Sequence, residues 1–297
     1  ITRMQRIAGS RRQIPVIVGY RKGDIEHFKQ TIDPYFIGRP KFEVASELPA
    51  LTIREVKLGM KADQASKYQD ALSGLLEIGT GDEAEEKETT KLTALIYCQQ
   101  IVNHLALLDL VCKDPPKMES LIDLLKDGDL AGEKTIIFTR FKKMVNLLVP
   151  ALEKAGIGCV RITGDENEGQ RKEAQKAFQD PDSDTQVVLI TMAGGEAINL
   201  QSAKAIVFYD SPWSAGDYIQ ILGRMIRIGS KHDNVYAFHM VTEGTVDQRV
   251  MQVLRKKMKL INQVLGKRIK GDDAEEEMEV MVDNDISEIF SQLQADA

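Results

Sequence analysis

The chain of 297 residues is 43% hydrophobic, 28% charged and 6% aromatic, enough for one large or two ordinary domains with a substantial core. Nine Pro and 22 Gly exclude a collagen-like or low-complexity polymer, and no apolar run approaches the ~20 residues of a membrane span. Cys98, Cys112 and Cys159 stand far apart without paired spacing, which excludes a disulfide framework and a thiolate metal site and fits a reducing compartment. The chain opens at Ile1, and Arg3, Arg6, Arg11 and Arg12 follow without the apolar stretch of a signal peptide, which reads as a fragment lacking an upstream part. The net charge of −6 is unevenly placed, because residues 271–297 hold ten acids and no Lys or Arg. Residues 1–270 therefore carry 39 basic against 35 acidic side chains, a net +4, a balance shared by polyanion-binding proteins and by many enzymes that bind none.

In chain order, residues 16–20 form a short strand-like run, followed by helical patterns near 24–32, 61–78 and 90–112 and extended pieces around Pro34, Pro40 and Pro49. This third reads as a connector. Asp82 to Glu88, with five acids against one Lys, reads as a solvated loop. Pro115-Pro116 marks a boundary. Beyond it short Ile- and Val-rich runs predict strands at Thr135–Phe138, Gly158–Ile162, Val187–Thr191, Ala205–Tyr209 and Val235–Val241. Amphipathic stretches predict helices near 141–155, 168–179, 214–227 and 246–265 between and after them. The last carries Val250, Val253, Leu254, Ile261, Val264 and Leu265 on one stripe, and Thr245 to Gln248 has capping-box spacing. Strand and helix in alternation predict a parallel α/β sheet covered on both faces.

Ligands of such sheets bind beyond the carboxyl ends of strands. There lies Thr191-Met192-Ala193-Gly194-Gly195, whose hydroxyl and glycine amides could cradle a phosphate or form a turn with no ligand. Gln220, Arg224 and Arg227 recur at i, i+4 and i+7, which places an amide and two permanent cations on one helical face, built for phosphate or salt-bridged at the surface. Thr139 and Arg140 end a buried strand, and Trp213, the single Trp, follows another. Its ring suits stacking on a base or sugar as well as packing in a core. His27, His104, His232 and His239 show no metal-ligand spacing.

These stretches, IIFTRF (136–141), TMAGGEAINL (191–200), DSPW (210–213) and QILGRMIRIGS (220–230), resemble in order and spacing the second RecA-like lobe of superfamily 2 motors, specifically the Swi/Snf-type double-stranded-DNA translocases. The likeness runs from about residue 16 to 265 and takes in DPYFIGRPKFEVASELP (33–49) and PPKMESLIDLL (115–125). Gly164, Arg171 and Phe178 fit a further element of that family. The resemblance implies a RecA-like sheet preceded by a mainly helical connector from a missing first lobe. It divides the chain into 1–114 (tail of the first lobe and linker), 115–245 (second lobe), 246–270 (a helix packing back) and 271–297 (acidic tail). It implies ATP with Mg²⁺, the metal ligands lying on the missing lobe, and double-stranded DNA as partner.

By the same resemblance Arg224 and Arg227 are arginine fingers, Gln220, Gly195 and Gly223 belong to the nucleotide site, and Thr139, Arg140, Thr191 and Trp213 contact DNA. The sequence departs from the family at Ala197, where a glycine is usual, and at Trp213-Ser214-Ala215, where W-N-P is usual. No G-x-x-x-x-G-K-[ST] loop occurs, and Asp82-Glu83-Ala84-Glu85 mimics a metal-binding D-E-x-H without a strand to deliver it. A strand-separating helicase and a degenerate non-catalytic lobe are the alternative functions. The wording of VIVGY and SPWSAGDYIQ suggests a bacterial or phage protein in the cytoplasm, or a nuclear one if eukaryotic.

Overall fold

A computed structural model describes residues 2–6, 13–17, 27, 30, 31, 34, 48–74, 76–78, 85, 86, 91–194, 198–265, 289 and 292–294. Two strands, β1 (Thr2–Arg6) and β2 (Gln13–Ile17), pair antiparallel, so the expected strand-like run at 16–20 begins earlier in the chain. The next strand, β3 (Ala50–Leu58), is followed by α1 (Ala62–Ser73), which ends on Gly74 at φ 73°, the left-handed conformation a glycine adopts at no steric cost. The helix expected to reach residue 78 stops there. A two-residue ladder of β4 (Glu77–Ile78) and β5 (Glu85–Glu86) follows, then α2 (Lys91–Asn103), a 3₁₀ turn at Leu105–Leu108 and α3 (Pro116–Lys126). Most of the stretch expected to be helical near 24–32, and most of the acidic tail, lie outside the described residues.

The remaining elements alternate as expected: β6 (Thr135–Phe138), α4 (Lys142–Lys154), β7 (Gly158–Ile162), α5 (Glu168–Gln179), β8 (Thr185–Ile190), β9 (Ala205–Phe208), α6 (Ala215–Met225), β10 (Asn234–Thr242) and α7 (Val246–Leu265). Six strands form one parallel sheet in the order β3-β10-β9-β6-β8-β7. Central β6 and β9 are buried along their whole length, as strands covered on both faces must be. On one face Ala174 and Phe178 of α5, Tyr218, Ile221, Leu222 and Met225 of α6 and Met251 and Leu254 of α7 pack against the sheet. On the other face Met118, Leu121 and Leu125 of α3 meet Met144, Val145, Leu148 and Leu152 of α4.

β3 is a strand that the sequence reading left in the connector. It pairs with β10 from Ala50↔Asn234 to Leu58↔Thr242, so nine residues before the expected lobe boundary complete its sheet. Its exposed and half-buried residues interleave without a continuous apolar run, as befits an edge, and that is why it lacks the signature of its buried neighbours.

A third apolar cluster joins α1, α2 and the 3₁₀ turn to Val246, Val250 and Val253 of α7. The expected single stripe on α7 is thus divided, Leu254 facing the sheet and Val250 and Val253 facing this cluster. Its start is as expected, but the capping bonds differ. The Asp247 N–H donates to Thr245 Oγ1, and Gln248 Oε1 accepts from Gly244 N–H, one residue before the expected donor. Ile289 and Leu293 also enter the third cluster, and Gln294 Nε2 donates to the Leu72 carbonyl. The end of the segment expected as an acidic tail is therefore docked.

Candidate nucleic-acid and nucleotide interface

The motif-bearing strands β9, β6 and β8 are neighbours, and parallel topology puts the residues that follow them at one edge of the sheet. Asp210, fully buried just after β9, fastens two of these ends together. Its carboxylate accepts from the Thr139 hydroxyl at 2.5 Å, from the Arg140 amide at 2.9 Å and from Asn103 Nδ2 at 3.0 Å. Burial pushes the Asp210 carboxyl above its usual range, and the bonds from Thr139 and Arg140 oppose that shift. Thr139 is itself 0% exposed. Its hydroxyl proton is committed to Asp210 inside the protein and not turned outward.

Arg140 is half-buried. Its Nη1 donates to Gln99 Oε1 at 2.7 Å, and its guanidinium carbon lies 4.8 Å from the centre of the Trp213 ring. Trp213 Nε1 donates to the same Gln99 oxygen at 3.1 Å, and the ring packs beside the third apolar cluster. Trp213 is half-buried beside a core cluster, and its ring faces an arginine of its own chain. Ser214, where the resembled family has Asn, caps α6 by accepting from Asp217 N–H.

Thr191 is 6% exposed. A Cβ on Gly194 would stand 2.1 Å from the Ile162 carbonyl oxygen and 2.4 Å from Thr163 Cα, so this glycine is demanded by the backbone at the end of β7. Gly195 and Ala197 lie outside the described residues. In the turn after β7, Glu166 accepts from the Thr163 amide and hydroxyl, Arg171 Nε donates to the Glu166 carbonyl, and Phe178 is wholly buried.

The helix expected to span 214–227 ends at Met225, because Ile226 turns to an extended conformation. Gln220 is exposed and Arg224 is 8% exposed on α6, while Arg227 lies beyond the helix and not on its i+7 face. Arg227 folds back, its Nε donating to the Gly223 carbonyl at 3.0 Å, one of the carbonyls that a helix end leaves without an intrahelical partner. No atom within 4 Å would obstruct a side chain at Gly223, so what that position offers Arg227 is its carbonyl. The Leu200 amide donates to the Arg224 carbonyl at 3.0 Å, which ties the segment after β8 to the arginine-bearing helix.

Sequence reasoning missed the residues that hold these ends. Asn103 carries no motif signal and Lys117 was visible within PPKMESLIDLL without its role, yet Lys117 Nζ donates to Asn103 Oδ1 at 3.0 Å and to Asp247 Oδ2 at 2.5 Å. Asp210 was visible as the first letter of DSPW, without its role. Beneath it His239 stacks on Phe208 with ring centres 4.7 Å apart and meets the Ser211 and Tyr218 hydroxyls at 3.2 and 3.1 Å. Burial holds its imidazole down to about 3, aided by Arg255.

Residues 116–229 match the helicase conserved C-terminal domain. The human SWI/SNF-related matrix-associated actin-dependent regulator of chromatin subfamily A member 1 is 27% identical over 285 residues, covering 90% of this chain and 27% of that protein. The C-terminal part of the Fun30 ATPase domain superposes with a TM-score of 0.61 at 16% identity, covering 84% of this chain and 99% of that one. The Sulfolobus solfataricus SWI2/SNF2 ATPase core in complex with double-stranded DNA does so with 0.58 at 24% identity, covering 82% and 52%. At such identities the structural likenesses establish the fold. The chain spans 15–27% of the length of curated relatives from worm and human. Eukaryotic proteins dominate among the relatives, so the expected bacterial or phage source finds no support. No described helix is long and apolar enough to cross a membrane. The sheet order and these matches together show a RecA-like fold like that of the SWI2/SNF2 ATPase structures, with a match to the helicase conserved C-terminal domain over residues 116–229.

Proposed function

We propose that the chain is the C-terminal half of an ATP-dependent double-stranded-DNA translocase of the Swi/Snf type. The observation that carries the reading is the adjacency of β9, β6 and β8, which gathers the residues after three strands at one edge. A related ATPase core was solved with double-stranded DNA. In this reading residues 1–114, apart from β3, which completes the lobe's sheet, join the lobe to a first lobe, 246–270 pack back on it, and residues 271–297 form an acidic appendage whose end is docked on the third cluster.

Arg224 and Arg227 act as fingers toward the γ-phosphate of ATP bound to that other lobe, where fixed positive charge stabilises the charge spreading over the transferring group. Gln220, Gly223 and Gly195 border the same nucleotide. Among the described residues no three His, Cys, Asp or Glu side chains stand where they could hold a metal. No step of this chain runs through Mg²⁺, whose ligands the reading assigns to the first lobe. DNA phosphates are met by Arg140, by the segment after β8 at Thr191, and by Trp213, while Thr139, wholly buried, serves by holding Asp210. Such contacts carry no base information, so binding is indifferent to sequence and weakens with salt.

The test joins this chain to a phosphate-binding first lobe. Arg224→Ala and Arg227→Ala are each expected to cut DNA-stimulated ATP turnover by at least about a hundredfold while leaving DNA affinity nearly unchanged. Lost DNA binding with retained turnover reverses the assignment. ATP turnover by the chain alone, abolished by Arg227→Ala, overturns the two-lobe reading.

A further inference from the structure

Gln99 and Asn103 lie four residues apart on α2, so one face of that helix carries both amides. Asn103 serves Asp210 and Lys117. Gln99 serves another pair, its single Oε1 accepting from Arg140 Nη1 at 2.7 Å and from Trp213 Nε1 at 3.1 Å. Gln99 is 0% exposed, and its Nε2 has no hydrogen-bond partner among the described residues. A buried amide with an unmet N–H is destabilising compared with an apolar side chain of the same shape. Stability alone therefore gives no reason for a glutamine here, whereas a doubly accepting oxygen does.

Two donors on one oxygen fix the guanidinium and the indole relative to each other, and the guanidinium carbon lies over the ring, 4.8 Å from its centre. Nη1 is the one guanidinium nitrogen of Arg140 with a hydrogen-bond partner among the described residues, which leaves the other N–H donors for an anion. Holding a flexible cation in its bound geometry beforehand removes an ordering cost from binding.

We propose that Gln99 is a positioning residue that locks Arg140 and Trp213 into one preorganised unit for a backbone phosphate of duplex DNA. This rests on the DNA reading above, and it adds a residue from the connector to a grip otherwise built from the lobe.

Trp213 is the only tryptophan, so its emission reports the lock directly. Acrylamide quenching and anisotropy of a fluorescein-labelled duplex are measured on the whole chain, with circular dichroism to confirm folding. Gln99→Leu is expected to raise quenching of Trp213 and weaken duplex binding about tenfold, the scale of losing a charge-assisted hydrogen bond. Gln99→Glu, which keeps the double acceptor, is expected to restore the low quenching, while the negative charge it sets beside Arg140 keeps duplex binding weak. Gln99→Met serves the same purpose where Gln99→Leu does not fold. Unchanged quenching overturns the lock. Raised quenching with unchanged or tighter duplex binding shows that Gln99 does not prepare the pair for phosphate, and also overturns the proposal. Wild-type chain that fails to bind duplex sinks the DNA reading instead, with quenching still deciding whether Gln99 holds Trp213.

Discussion

Lys117 and Asp247, 130 residues apart in the chain, close an ion pair of 2.5 Å in which neither side chain is more than 4% exposed. The pair joins the first turn of α3 to the first turn of α7, and so connects the helices on one face of the sheet to the helix shared with the third cluster. Asp247 Oδ2 also accepts from the Thr242 amide, while Oδ1 has no hydrogen-bond partner among the described residues.

Removing one member strands the other as a buried charge. Lys117→Met is expected to lower stability by about 3–5 kcal/mol. The double variant Lys117→Met/Asp247→Leu is expected to lose less than the two single losses added, because neither charge is then left alone. Urea unfolding of the four proteins checks this, and additive losses would contradict it.

Gly194→Ala puts a methyl group against backbone with nowhere to move, 2.1 Å from the Ile162 carbonyl oxygen. A loss of roughly 2–4 kcal/mol is expected, since such overlap forces shifts in both segments. Gly223→Ala meets open space and is expected to leave the melting temperature within a degree or two, or raise it slightly. Equal effects at the two positions would refute the steric account.

Acid should destabilise the protein through His239. Its folded pKa is near 3, below the ordinary ~6.5 that applies when unfolded. The unfolded state therefore binds the extra proton between those values. Stability contributed by the neutral ring is complete above about pH 6.5 and is lost as pH falls toward 3, about 2 kcal/mol of it by pH 5. Asp210, raised by burial, acts in the opposite sense, which makes a matched control necessary. Chemical unfolding at neutral and acidic pH, with His239→Gln beside wild type, should show a smaller acid loss in the variant.

Deleting residues 289–297 removes Ile289 and Leu293 from the third cluster together with the Gln294 bond to Leu72. Burying two such side chains contributes about 3–6 kcal/mol, so the truncated chain should melt lower and be cut faster by protease around α1. A truncation with unchanged melting and protease resistance would show that this docking contributes nothing to stability.

Sequence by itself determined the alternation of strands and helices after Pro116, because buried parallel strands are continuous Ile and Val runs and their covering helices carry a 3.6-residue stripe. Thr135–Phe138, Gly158–Ile162 and Glu168–Gln179 match to the residue. Motif spacing also marked the segments that meet at the carboxyl edge. Tertiary structure alone decided what those residues touch. β3 gains its place by pairing with β10, a contact made across 184 residues of register at Ala50↔Asn234, which no local pattern encodes. Arg227 left the helical face assigned by counting because the helix ends at Met225. Thr139, Arg140 and Trp213 were recognisable as a set, but Gln99 and Asn103, which help hold them, come from α2, and the role of Asp210 shows only in its bonds to Thr139 and Arg140. A hydrogen bond between distant segments leaves no periodicity in either one.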